Sequence, residues 1–576
     1  MIDKMPTSLA VHRQGDNRIS RHDESIPGII DAVIDQDKIR WICYGTPTVS
    51  CWFNLPELVG NERAVLERLS QTGTVLLTRK SRNDFAVQVE QFKGYRPALV
   101  AGRPGWLEKA HYVYGNGEVE RPDGDDREVI IAFKPNAKFK PVGSLAGWQA
   151  SIGQAIADQP IPLFIVRYAF VGPLLRLAPA HVQNPQVEIV GKGEIAKTTI
   201  LTVAASAHAG DPTSDVGGAE TWDMTINAHD PQKREHADSL LALDEVNLAG
   251  LDGRDQRDLL LKAGFKGATN GSRKRLTDTV VAPNVRVATL STSNVPRRDL
   301  VKGDKTVLDA LNSRIVTISI PEDHKLGVFQ FVPRDFADAQ AAAEHLRMAV
   351  NEHYGVAGRV FMRRLVAETA RDEDQLRRKI EALMQRFYDA AHDEVPAKGM
   401  ARGKKVLALT FVAGTLAQEW GVIPKSWGAL LPATLAIYRS LVGASAAPVA
   451  PSAVDLVRAY RKRNRGNIVR ASRLKKPLTK GEFLQKAGVL RCSGKQMDLI
   501  VSAQRFQQEF PNYRAILNQL RDEGRAQTEG GQQPKLTIKA PGRICRDAPR
   551  VYCITVVDDV VDAHQRALRR FGSCKS

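Results

Sequence analysis

The chain has 576 residues and carries 82 Lys+Arg against 64 Asp+Glu, a formal net charge of +18 with a pI near 9.6. Such a length calls for three or four folded units at roughly 100–200 residues each. Hydrophobic residues make up 43% and charged residues 25%, which excludes a globally disordered chain. No apolar run reaches the roughly 18 residues that span a bilayer, and the polar N-terminal stretch lacks the apolar core of a secretory signal. A cytoplasmic protein without a membrane partner is expected. Cys43, Cys51, Cys492, Cys545, Cys553 and Cys574 form no C-x-x-C pair and read as reduced thiols. The charge is uneven: residues 451–576 hold 26 Lys+Arg and 11 Asp+Glu, a net +15. A whole segment biased in this way favours a polyanion, nucleic acid above all, over a merely solvated surface.

In chain order, residues 1–27 read as a flexible tail. Residues 28–144 hold short β-type runs, "IRWICYG", "TVLLTR", "YVYG" and "EVIIAF", divided by clusters such as "RPDGDD". They predict a β-rich α+β domain. Helical periodicity follows in "SLAGWQASIGQAIADQ" and "FIVRYAFVGPLLRLA". Four apolar runs then alternate with longer crossovers: "VEIV", "SLLALDEV", "VRVATLSTSN" and "RIVTISI". Nearly continuous apolar strands of this kind predict a parallel α/β sheet covered on both faces. Long helices come next, in "DFADAQAAAEHLRMAVNEHYG" and "EDQLRRKIEALMQRFYDAAHDE", and the uncharged "GASAAPVAPSA" reads as a hinge.

The stretch "GKGEIAKTT" lies between "VEIV" and a second apolar run, "ILTVAASA". It nearly matches a phosphate-binding loop, in which backbone N–H groups and a helix N-terminus surround a phosphate. Gly191, Lys192, Gly193, Glu194, Ile195 and Ala196 would form the loop, with Thr199 in the helix that follows. Lys197 would supply the cation and Thr198 a Mg²⁺ ligand. Ala196 stands where the pattern asks for Gly. "SLLALDEVN" ends in Asp244-Glu245: a strand delivering two carboxylates suits a Mg²⁺ ligand at Asp244 and a water-activating base at Glu245. "VRVATLSTSN" ends in an amide, Asn294, able to position that water. In "DALNSRIVTISIP" a helix ends at Arg314, a cation able to reach a neighbouring subunit's γ-phosphate.

The order of loop, acidic pair, polar strand end and helix-terminal Arg resembles that of AAA+ ATPases. Within that class the minichromosome maintenance helicases carry Ala before the loop Lys, as "EIAKT" does here. Their S-R-F stretch corresponds to Ser313-Arg314-Ile315, without the Phe. "AGRPGW", "SLAGWQ", "ETWDMT", "LLALDEV", "ATNGSRKR", "TLSTSN", "HYGVAGRVF" and "VLALTFVAGTLAQEWG" resemble segments of the domain-of-unknown-function family 927. That family accompanies phage and mobile-element replication genes and is similar to ring-forming helicases. Its usual loop has Ser at the Gly193 position and Gly at the Ala196 position. The resemblance implies an AAA+ P-loop core over 145–325, a helical lid over 326–443 and a linker over 444–453. It also implies ATP and Mg²⁺ as cofactors and a homo-oligomer, a hexamer above all. Arg359, in "GVAGRVF", is expected as a lid Arg at the phosphates.

In such helicases a hairpin before the polar strand contacts DNA in the ring channel. The matching "GATNGSRKRLTD" offers Arg273, Lys274 and Arg275 after an Asn-Gly turn. In residues 454–576, "NYRAILNQLRDEG" and "KLTIKAPGRICRDAPRVYCITV" read as a helix followed by a basic hairpin, a winged-helix pattern with Arg543, Arg546 and Arg550 at the wing. The expected function is an ATP-dependent DNA translocase or helicase acting on single-stranded or forked DNA without sequence preference. The alternative is a DNA-bound initiator or scaffold that uses ATP as an assembly switch.

Overall fold

The computed structural model describes residues 27–249, 253–268, 285–301, 305–391, 401–446, 453–493, 496–510, 512–529 and 535–557. The chain divides into two compact units, Met1–Ala446 and Ala447–Ser576. The architecture is mixed α/β with a parallel sheet at the centre of the first unit.

The first unit opens with a sheet of Gly28–Ile34 (β1), Arg40–Gly45 (β2), Ser50–Asn54 (β3) and Arg96–Pro97 (β4), in the order β3-β2-β1-β4. Helices Glu62–Gln71 and Arg79–Gln91 pack Val65, Leu69, Phe85 and Val89 against Ile42, Tyr44 and Phe53. "IRWICYG" is β2, and "YVYG" and "EVIIAF" contribute the short strands Tyr112–Val113 and Val129–Ile131. "TVLLTR" forms no strand. Val75 and Leu77 stay 55% and 79% exposed, and the Thr78 hydroxyl accepts from Ser81 N as the cap of the next helix. The capping bond ends any extended run at that point.

The central sheet comprises Gln186–Val190 (β5), Glu220–Thr221 (β6), Leu240–Asp244 (β7), Ala288–Ser293 (β8) and Val316–Ser319 (β9), all parallel, in the order β6-β7-β8-β5-β9. The four apolar runs read from the sequence are β5, β7, β8 and β9. Alternate residues of β7 face opposite cores: Leu240 and Ala242 join the cluster under the Lys197–Ala205 helix, while Leu241 and Leu243 join the one containing Leu259 and Leu260. Both faces are therefore dry, which is why the strand reads as a continuous apolar run rather than an alternating one. Helices Ala339–Glu352, Val356–Ala390 and Ala401–Glu419 pack on the first of these cores. The Val356–Ala390 helix breaks at Asp372 (φ −161°, ψ 93°), whose carboxylate accepts from Gln375 N at 2.8 Å and caps the second half.

"AGRPGW" is anchored to the sheet by a buried carboxylate. Asp238 accepts from Arg286 Nε at 2.5 Å and from Trp106 N at 3.1 Å, with Arg103 at 3.5 Å. Gly105 has φ +103°, and a Cβ there would lie 2.6 Å from Asp238 Oδ2. Only glycine admits the carboxylate that closely.

The second unit has a five-stranded mixed sheet: Ile468–Arg470 (β10), Gly488–Ser493 (β11), Gln496–Ser502 (β12), Ile538–Lys539 (β13) and Arg550–Val557 (β14), in the order β10-β11-β12-β14-β13. The expected helix (Tyr513–Asp522) and hairpin (β13 with β14) are present. They belong to a larger sheet than the helix-and-hairpin pattern implied, because β14 pairs along its length with β12. Leu499, Val501, Tyr552 and Ile554 face one core with Leu517 and Leu520, and Ile500, Val551 and Cys553 face the other. Among the described residues no helix is long and apolar enough to cross a membrane.

Replacing Gly105 by Ala sets a methyl group against Asp238 on a positive-φ backbone. The substitution is expected to destabilise the first unit by about 2 kcal/mol. Thermal melting of the purified chain checks this, and an unchanged midpoint contradicts the anchoring role.

Candidate functional site

The register sets the site. Val190 of β5 pairs with Ser293 of β8, and Leu243 of β7 pairs with Ser291 of β8. Gly191, Asp244-Glu245 and Asn294 therefore emerge at one level, at the C-terminal ends of adjacent parallel strands. Crevices at that end are where α/β sheets bind ligands.

Gly191 turns the chain out of β5; a Cβ there would lie 2.3 Å from Ile195 Cδ1. The loop ends at Ala196, which has φ +60°, ψ 27° and leads directly into the Lys197–Ala205 helix. The consensus glycine position thus has the left-handed backbone that favours glycine, and Ala196 tolerates it at a cost of about 1 kcal/mol. Ile195 O accepts from Val328 N at 3.1 Å, and Gly327 (φ +63°) lies against the same residue, so the segment after β9 clamps the loop. No backbone N–H of residues 192–199 donates to another described residue. These orphan donors, at a helix N-terminus, make an anion cradle.

The Lys197 ammonium is almost fully buried. Its donors go to Gly191 O (2.8 Å), Lys192 O (2.7 Å) and Asn294 Oδ1 (3.2 Å), all of them neutral acceptors. Burial pushes its pKa down, opposed by the charges of Asp244 and Glu245. A phosphate oxygen in place of the Lys192 carbonyl would give the ammonium an ionised acceptor instead of a neutral one. The Thr198 hydroxyl donates to Asp244 at 3.0 and 3.1 Å to its two oxygens, so the two groups form an oxygen-rich corner beside the cradle. Glu245 has an exposed side chain on a left-handed backbone (φ +58°), pinned by its N–H donating to Thr292 Oγ1 at 2.9 Å. Among the described residues seven non-glycine positions have positive φ, and Glu194, Ala196 and Glu245 are three of them. Strained backbone of this kind concentrates at working sites.

Two features escaped the sequence reading. Thr292 donates to Asp244 while accepting from Glu245, holding the acidic pair from the neighbouring strand. Beneath it, Glu188 of β5 and Arg297 are each 1% exposed and lie 3.5 Å apart, an ion pair. Arg297 also donates to Gln186 and Ser291 at 3.2 Å each and stacks on Trp222 at 4.9 Å. Burial pushes the Glu188 pKa up and that of Arg297 down, while each charge holds the other ionised. The pair ties the turn after Asn294 to β5. Polar residues inside two otherwise buried strands were the available signal, but the sequence did not say which would meet.

The remaining expected residues lie elsewhere. Lys192 is exposed and pairs with Glu322 at 2.7 Å, and Gly193 has open space around it. Thr199 is buried in the helix. Arg359, expected at the phosphates, is a correction. Its guanidinium stacks on Tyr114 at 3.5 Å, pairs with Glu118 and donates to Asn116 Oδ1 at 3.0 Å. Neighbouring Gly358 N donates to Ala207 O at 2.7 Å, past the C-terminal end of the Lys197–Ala205 helix, roughly 13 Å from its phosphate-facing end. Arg314 sits at the start of β9, the opposite end of the sheet from the loop. Arg273, Lys274 and Arg275 lie outside the described residues. In the second unit Arg543 and Arg546 are exposed on the β13–β14 turn, whereas Arg550 pairs with Glu529 at 2.6 Å.

Residues 50–261 match the family model described as "Domain of unknown function (DUF927)". The match covers 212 of the 576 residues, from 50 to 261. Among solved structures the chain is similar to one described as "SCCmec type IV Cch - active helicase", at TM-score 0.53 and 14% identity over 93% of this chain and 94% of that one. At that identity the likeness is one of fold. A second, "The A form apo structure of NrS-1 C terminal region-CTR", has TM-score 0.22 and 12% identity over 67% of this chain and 87% of that one. No curated protein matches the chain. The matched segment contains the loop, Asp244 and Glu245, whereas Asn294 and Arg314 lie beyond it.

Changing Ala196 to Gly releases the left-handed strain and is expected to raise stability by about 0.5 kcal/mol after the added freedom of the unfolded chain; a lower melting temperature contradicts the strain. Arg297→Met leaves Glu188 buried and unpaired, at an expected cost of about 3 kcal/mol. The Glu188→Leu/Arg297→Met double variant should recover most of that loss. A double variant no more stable than Arg297→Met would show that the two residues do not act as a pair.

Proposed function

We propose that the chain is an ATP-dependent DNA translocase or helicase of a mobile-element or phage replication system. The observation that carries this reading is the convergence of Lys197, Thr198, Asp244, Glu245 and Asn294 on a cradle of orphan backbone donors. The central sheet is then an AAA+ P-loop core and the helices between 339 and 446 its lid. The Tyr513–Asp522 helix with β13 and β14 is the winged-helix element of the second unit. The fold likeness to a protein described as an active helicase supports the assignment.

The residues fit ATP and Mg²⁺. Backbone donors of residues 192–199 and the Lys197 ammonium would hold the phosphates, and the Thr198 hydroxyl with Asp244 would supply two of the oxygens that Mg²⁺ takes. A bound Mg²⁺ neutralises charge growing on the phosphates. Glu245, exposed beside the cradle, takes the proton of a water that Asn294 orients. The water oxygen bonds to the γ-phosphorus, the bond to the bridging oxygen breaks, and ADP and phosphate leave. Arg314, a strand-length from its own loop, acts on the phosphates of a neighbouring copy, which calls for a ring, in this reading a hexamer. Arg273, Lys274, Arg275, Arg543 and Arg546 bind phosphates of single-stranded or forked DNA without reading bases, so affinity falls steeply with salt. Arg550, committed to Glu529, adds less.

Lys197→Ala is expected to abolish ATP turnover. Glu245→Gln should keep nucleotide binding while lowering turnover by roughly 10²–10⁴. A steady-state ATPase assay checks both, and parent-like rates in the Lys197 variant contradict the reading. A strand-displacement assay on forked DNA separates helicase from assembly switch: ATP hydrolysis without any strand release favours the latter.

A further inference from the structure

The cations at the far end of the sheet form a separate cluster. A cavity of about 180 Å³ lies there, lined by His181, Asn184, Arg314, Arg402 and Lys405. Arg402 and Lys405 stand three residues apart in the first turn of the Ala401–Glu419 helix, on one face. Arg314 stacks on Phe265 at 4.8 Å and donates to Ala310 O. Burial pushes the Arg314 pKa down, and the like charge of Arg402 adds to the effect. Among the described residues no carboxylate pairs with Arg314, Arg402 or Lys405. Asn184 does not offset them: its amide donates to Gly267 O and Val285 O and accepts from Val287 N. Among the described residues three cations therefore face one cavity without a counter-charge, which leaves room for an external anion.

Size and position narrow that anion. The cavity is well below the roughly 300–1,000 Å³ of a site that encloses a whole drug-sized ligand, so it suits a phosphate group whose remainder is held elsewhere. It does not serve its own loop. Val316 pairs with Val187, which sets Arg314 level with Pro185, six residues or roughly 20 Å of strand before Gly191.

We propose that Arg314, Arg402 and Lys405 together take the terminal phosphate of a nucleoside triphosphate seated in the loop of a second copy of this chain. Arg402 and Lys405 thereby join Arg314 as phosphate-contacting residues. The inference rests on the loop being a nucleotide site.

The test uses the full-length chain and the double variant Arg402→Gln/Lys405→Gln. The variant is expected to bind Mg-ATP as the parent does, which also verifies its folding, while turnover falls by roughly 10²–10³. Arg402→Lys, which keeps the charge, should retain most of the turnover. Lys197→Ala keeps the pocket and lacks the loop cation, so mixing it with the double variant should raise turnover several-fold above either alone. Parent-like turnover in the double variant overturns the proposal while leaving the loop reading intact. A mixture no more active than its components overturns it too, as does a loss confined to DNA-stimulated turnover, which would assign the cations to nucleic acid. Failure of the parent to bind Mg-ATP overturns the loop reading first, and the pocket proposal with it.

Discussion

The pairing of Val190 with Ser293, and of Leu243 with Ser291, fixes the position of every group at the candidate site. A parallel sheet delivers all its strands to one end, so the chain after each strand emerges beside the chain after its neighbours. A slip of one residue between β5 and β8 would move Asn294 away from the Lys197 ammonium and reverse which side chains face the core. The two dry cores on either side hold the register, because Leu240 and Ala242 are committed to one and Leu241 and Leu243 to the other.

Polar contacts refine what packing sets. Thr292 holds Asp244 and Glu245 together, the Glu188–Arg297 pair ties the turn after Asn294 to β5, and Gly327 with Val328 clamps Ile195. Strain at Glu194, Ala196 and Glu245 is tolerated because it sits on this over-determined frame. The N-terminal region contributes at a distance, since "AGRPGW" closes on Asp238, two residues before β7.

Local signals in the sequence were enough for much of this. Continuous apolar runs marked β5, β7, β8 and β9, and the polar segments that follow them hold Lys197, Asp244, Glu245 and Asn294, which the sheet brings together. Asp372 marks why the helix read from "EDQLRRKIEAL" begins where it does, since its carboxylate caps that segment. What the sequence did not carry was the choice of long-range partner. Arg359 looked like a lid cation but is held by Tyr114, Glu118 and Asn116, more than two hundred residues earlier in the chain. "TVLLTR" has strand composition, yet nothing pairs with it and Thr78 starts a helix. In the second unit the dense charge of residues 461–476 obscured β10, and β11 and β12 were not read from the sequence. The left-handed backbone at Ala196 was equally invisible, because an alanine gives no sign of the conformation it has been forced to adopt.

The central claim is that the loop from Gly191 to Thr198 holds a nucleoside triphosphate through backbone donors and Lys197. Calorimetric titration of the purified parent chain with Mg-ATP, and with ATP in excess chelator, tests it most directly. The account predicts saturable binding at about one nucleotide per chain, weakened without Mg²⁺ because Thr198 and Asp244 then lose the ion they share with the phosphates. No saturable heat at millimolar Mg-ATP would contradict it.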